Sequence, residues 1–132
     1  DNTMKTLILD IEFNRKYFER VIHHELFHII NDQHKKLFNE IDWKKINTPN
    51  FEYAKCSICT EKLGLDAYKK SNGFFTEYSK STASEDMAEV YSFLIILDTK
   101  KIKEIRNSDI ILDKKISYIE NKIKLIDNSF KF

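Results

Sequence analysis

Over residues 6–13, Leu7, Leu9, Ile11 and Phe13 fall on one side of the chain, and Ile8, Asp10 and Glu12 on the other. That period of two predicts a half-buried strand. From residue 14 to about 38 no Gly or Pro intervenes. There Tyr17, Val21, His24 and His28 recur beside Phe18, Ile22, Glu25 and Ile29, the spacing of one long helix. Residues 41–59 hold Trp43 and the turn cluster Asn47-Thr48-Pro49-Asn50 without a period, which predicts irregular structure with a short extended piece at 51–54. A short helix is expected over 60–70 and an extended stretch over 73–78. Thr82 then reads as the cap of a second strong helix carrying Met87, Val90, Tyr91 and Leu94. Asn107 and Ser108 separate it from a last helix, where Leu112, Ile116, Ile119, Ile123 and Ile126 form an apolar stripe suited to the core. The expected fold class is α+β, mostly helical with a small N-terminal strand element, in a single domain spanning residues 1–132.

Composition supports this picture and narrows it. A chain of 132 residues, 42% of them apolar and 13% aromatic, is long and apolar enough to bury a core. Two Gly and one Pro are too few for the many turns of a sandwich or barrel. Lys and Arg number 22 against 21 Asp and Glu, a net charge of +1, so no field of one sign is available to attract nucleic acid. The lysine pairs beginning at Lys35, Lys69, Lys100 and Lys114 are scattered, as on a solvated surface. The longest apolar cluster is the five residues 93–97, so no membrane span is expected. Residues 1–9 lack the features of a signal peptide. The sequence names no compartment, with a secreted or extracytoplasmic setting favoured, and a monomer is expected. Cys56 and Cys59 could be reduced core residues, a local disulfide, a redox pair or half of a metal site.

The chemistry lies in His24-Glu25-Leu26-Phe27-His28, which fits H-E-x-x-H inside the first predicted helix. Residues four apart share a face, so both imidazoles can reach one metal ion. Two imidazoles suit zinc, and Glu25 projects beside the ion where it can take a proton from water. A third ligand is needed, and two candidates compete. His34 completes the spacing H-E-x-x-H-x-x-G-x-x-H, except that Asn31 stands where Gly should break the helix. Glu85, 57 residues beyond His28, has Glu89 one turn later on the same face, an arrangement in which one acid binds metal and the next steadies a ligand histidine. Glu85 also fits a capping box with Thr82.

Gly73-Phe74-Phe75-Thr76-Glu77-Tyr78 followed by Ser84-Glu85-Asp86-Met87-Ala88-Glu89 resembles the second motif of the anthrax lethal factor-like zinc peptidases. It is also similar to largely uncharacterised bacterial families of zinc-binding metallopeptidases, in which a Tyr precedes an E-x-x-A-E helix by seven residues. Trp43 and Phe51-Glu52-Tyr53 add to the likeness, which covers residues 21–93. The resemblance implies a zincin of the gluzincin type. Its zinc ligands would be His24, His28 and Glu85, with Glu25 as general base, Tyr78 as oxyanion stabiliser and Glu89 supporting a ligand histidine. It differs from such domains in offering one strand, not several, before the zinc helix.

The expected activity is zinc-dependent endopeptidase hydrolysis of protein or peptide substrates through a metal-activated water. The alternatives are a degenerate zincin that binds zinc or peptide without turnover, and a helical interaction domain with an accidental H-E-x-x-H.

Overall fold

The computed structural model describes residues 15–56 and 72–132. Among the described residues five α-helices follow one another: α1 (Arg15–Gln33), α2 (Glu40–Lys44), α3 (Ala83–Ile96), α4 (Thr99–Ser108) and α5 (Ile110–Ile126). A single 3₁₀ turn, Tyr78–Lys80, leads into α3.

The α+β expectation is corrected here: no strand occurs among the described residues, and the architecture is helical. The strand expected at 6–13 and the helix expected at 60–70 lie outside the described residues. Residues 73–78 do not run as a strand. The backbone bends at residues 75–77 and closes into the 3₁₀ turn that begins at Tyr78. Gly73 stands before it at φ +87°, a conformation L side chains rarely adopt, and a Cβ at this position would run into Ile111 Cγ2. Residues 51–54 form no regular element; Phe51 N–H turns back to the Thr48 carbonyl at 3.0 Å and Ala54 N–H meets the Lys80 carbonyl at 3.1 Å, which makes no ladder.

The helices start where short polar side chains can hold free amides. Thr82 accepts from the Glu85 amide, Asp98 from that of Lys101, and Asp109 from those of Ile111 and Leu112. Asp98 divides what the sequence suggested was one helix up to Asn107, so α3 and α4 can pack in different directions. Asn39 likewise caps α2, whose five residues are too few to show a period. The first helix stops at Gln33. Beyond it the chain turns and returns Phe38 edge-on to Phe27, ring centroids 5.1 Å apart.

Helix α3 is the centre of the domain. Residues 86–94 are buried without interruption, because α1 covers one face and α5 another. Phe27, Trp43, Phe75, Met87, Leu112, Ile116 and Ile119 are almost wholly excluded from water. Each such large side chain contributes about 1.5–3 kcal/mol of burial free energy. Within this core sits a polar knot. Asp86 Oδ2 accepts from Trp43 Nε1 at 2.9 Å, from Lys115 Nζ at 2.7 Å and from the Tyr53 hydroxyl. Lys115 Nζ also donates to the Gly73 carbonyl at 2.7 Å and lies 3.7 Å from the Phe74 ring centroid. These bonds tie α2, α3, α5 and the 73–78 bend together. Burial pushes the Asp86 carboxyl up and the Lys115 ammonium down, each opposed by the charge of the other.

Cys56 is disulfide-bonded, which removes the reduced and metal-ligand readings for that thiol. Cys59 lies outside the described residues. No helix among the described residues is long and apolar enough to cross a membrane.

Candidate metal centre

The polar face of the α1–α3 contact contains the site. On α1, Arg20, His24 and His28 are spaced by four, so they line up along the helix. On α3, Glu85 and Glu89 are also four apart and meet them. His24 Nε2 lies 2.8 Å and His28 Nε2 3.2 Å from the same oxygen, Glu85 Oε2, and the two Nε2 atoms are 3.2 Å apart. Three donor atoms from two helices thus converge on one point, and they form a group able to hold a metal ion. Their separations are near the roughly 3.3 Å edge of a tetrahedron with bonds of about 2.0–2.1 Å.

Glu89 determines the tautomer. Its Oε1 lies 2.8 Å from His24 Nδ1. A carboxylate only accepts, so Nδ1 carries a proton; without metal Nε2, 2.8 Å from the Glu85 carboxylate, carries one as well, and a metal ion would take the place of that second proton while Glu89 keeps the first. Glu89 is itself held, by Arg20 Nη1 on Oε1 at 2.5 Å and by the Thr76 hydroxyl on Oε2 at 2.7 Å. Ser84 Oγ stands 3.3 Å from His28 Nδ1.

Electrostatics point the same way. Burial pulls His24 down, yet the carboxylates of Glu85 and Glu89 on its two sides outweigh burial and raise it to about 9. Burial pushes Glu85 up, but bonds to the two imidazoles hold it well below the usual carboxylate range. Glu89 is lowered similarly, by His24 and then Arg20, against the effect of burial. The cluster therefore favours positive charge between the imidazoles and Glu85. A proton satisfies that preference in the bare protein, and a divalent cation satisfies it better. Two imidazole nitrogens and one carboxylate oxygen are also the donor set of hydrolytic zinc sites, which keep a fourth position open.

Glu25 and Tyr78 line, with Tyr17, Val21 and His24, a cavity of about 250 Å³ beside these donors. The Tyr78 ring centroid is 5.9 Å from that of His24, and its hydroxyl donates to Glu85. Burial, then the charges of Glu85, Glu89 and Glu25, push that hydroxyl up, so it stays a neutral donor.

His34 is not brought to this group. Helix α1 runs unbroken through Asn31, since Asn there does not end it as Gly would. Six residues at roughly 100° each carry position 34 about 240° around from His28. It lines instead an apolar groove with Leu26, Ile30, Tyr91 and Phe130. The capping-box alternative for Glu85 is half realised. Thr82 Oγ1 accepts from the Glu85 amide at 3.2 Å, while the Glu85 carboxylate meets the imidazoles.

Sequence reading overlooked Arg20, Thr76, Asp86 and Lys115. Arg20 was signalled by its place one turn before His24, and Lys115 by its position on the apolar stripe between Leu112 and Ile119. Thr76 and Asp86 gave no signal in their spacing.

A helical frame that converges three such donors, one imidazole buttressed from behind, is one that can hold a metal ion. The chain belongs to the family described as "Putative zinc-binding metallo-peptidase", whose family model matches residues 2–131. Zinc is accordingly its metal, and the His24, His28 and Glu85 group can hold it. No curated protein and no solved structure matches the chain.

Proposed function

We propose that the domain is a zinc-dependent endopeptidase of the gluzincin type, with His24, His28 and Glu85 as its three protein ligands. The observation that carries this reading is the convergence of those donors, with His24 shared between them and a cavity that Glu25 and Tyr78 line. When bound, zinc supplies the Lewis acidity that makes water nucleophilic near neutral pH and polarises a carbonyl. The Glu25 carboxylate takes the proton from the attacking water and delivers it to the leaving amine. The Tyr78 hydroxyl donates to the oxygen that becomes anionic in the transition state. Glu89 holds His24 in its ligating tautomer. Disulfide bonding of Cys56 supports an oxidising, extracytoplasmic setting.

Zinc content of purified variants tests the ligand set. Glu85→Ala is expected to lose stoichiometric zinc, whereas His34→Ala is expected to keep it. The reverse pattern would replace Glu85 with His34 as third ligand. Zinc bound by the wild type without cleavage across a broad peptide library would favour a binding module over an enzyme.

Tyr78→Phe keeps the ring and deletes the hydroxyl. Zinc content and thermal stability should hardly move, while kcat should fall by roughly tenfold or more with KM little changed, because a donor to the oxyanion acts mainly on the transition state. Turnover at the wild-type rate would return Tyr78 to a packing role.

A further inference from the structure

Glu89 is a buried carboxylate held by more than its histidine, and the donors that hold it have no place in the reaction derived above. Arg20 is 5% exposed and Thr76 2% exposed. The Arg20 guanidinium lies 5.2 Å from the Tyr17 ring centroid on its own helix and 5.3 Å from that of Phe93, one turn beyond Glu89 on α3. Two aromatic rings therefore fix the cation before it meets the carboxylate, a role for a flat guanidinium more than for a lysine ammonium. Thr76 Oγ1 accepts from the Ser79 amide at 3.1 Å, which leaves its own O–H to donate to Glu89 Oε2. Each oxygen of Glu89 is thus held by a donor other than His24. The donors come from α1 on one side and from the bend before α3 on the other.

We infer that Arg20 and Thr76 are positioning residues for the zinc site: they hold the Glu89 carboxylate so that Oε1 faces His24 Nδ1, and through it they set the orientation of the His24 ligand. The inference rests on the proposed ligand set and extends it by one layer of residues. Without Arg20, a carboxylate buried between the helices loses its countercharge and its rotation is no longer specified. Without Thr76 it keeps the countercharge but can pivot about Oε1. Both changes act on zinc only by way of Glu89, and this makes the inference separable from a general role in packing.

The test is zinc affinity, measured by competition with a chelating indicator, with circular dichroism and thermal melting of the metal-free protein as the control for folding. Arg20→Met should weaken zinc binding by roughly 10 to 100-fold, the range for loss of an outer partner of a metal ligand. Arg20→Lys should recover part of that loss. Thr76→Val, which carries no change of charge, should weaken binding by a smaller factor and serves should Arg20→Met fold poorly. The decisive arm repeats both changes in a Glu89→Gln background, where neither should weaken zinc further. Wild-type affinity in folded Arg20→Met or in Thr76→Val would overturn the inference. So would losses that multiply undiminished with that of Glu89→Gln. Unchanged affinity in Glu89→Gln alone would strike at the proposed support of His24 itself, a failure recognisable because it needs neither Arg20 nor Thr76 to be altered.

Discussion

Glu25→Gln is expected to keep the fold and a full complement of zinc while kcat/KM for peptide cleavage falls by a hundredfold or more. The side chain lines the cavity beside the metal donors but is not one of them, so exchanging a carboxylate for an amide of the same shape leaves the ligand set intact. The amide cannot accept the proton of the attacking water, and a positioned general base contributes about 10² to 10⁴ in rate. A hundredfold loss corresponds to about 2.7 kcal/mol of transition-state stabilisation. Steady-state kinetics on the wild type and variant, with zinc measured on the same samples, give the answer. Wild-type turnover in the variant would remove Glu25 from the mechanism. Loss of zinc together with activity would make it structural.

Lys115→Met should be strongly destabilising, costing about 3–5 kcal/mol, because it strands a buried carboxylate. Asp86 and Lys115 are both fully excluded from water and are bonded to each other at 2.7 Å. Removing the ammonium leaves Asp86 with only the Trp43 and Tyr53 donors, and it leaves the Gly73 carbonyl without the donor it has from Lys115. Since domains are stable by only about 5–15 kcal/mol, a large share of the total is at stake. Adding Asp86→Asn removes the stranded charge and keeps an oxygen for Trp43 and Tyr53, so the double variant should be more stable than Lys115→Met alone. Urea denaturation of the three proteins decides the matter. A loss under about 1 kcal/mol in the single variant, or no recovery in the double, would contradict the account of a compulsory buried pair.

Adjacent acids on α3 have separate tasks in these predictions. Glu85 faces the imidazoles of α1, and Asp86, about 100° further round the helix, faces Lys115 of α5. A central helix buried on several sides can bring its polar residues to different partners. This explains how, in the run Ser84-Glu85-Asp86, Asp86 enters the core while Ser84 and Glu85 stay half-buried at the histidines. It also explains why the local pattern could not tell the two acids apart: the capping-box reading of Glu85 holds for its amide, whereas the carboxylate that reading sends back to the Thr82 amide meets the imidazoles instead.

Much of the site was legible in the order of residues alone. H-E-x-x-H is a local constraint, since the helical period carries His24 and His28 to one face whatever packs against them, and the same period aligns Glu85 with Glu89. The starts of α3 and α5 and the apolar stripe of α5 are local in the same way, set by caps and by spacing. Tertiary structure decided everything that depends on which faces meet. It chose Glu85 over His34 as the neighbour of the two imidazoles, by letting α1 continue through Asn31 and by packing α3 on the histidine face. It also bent residues 73–78, where the Gly73 carbonyl is held by Lys115 from α5 and the Thr76 hydroxyl is directed at Glu89. That bend replaced an expected extended stretch, because bonds to residues 13 and 42 positions away are not written in any short window of sequence.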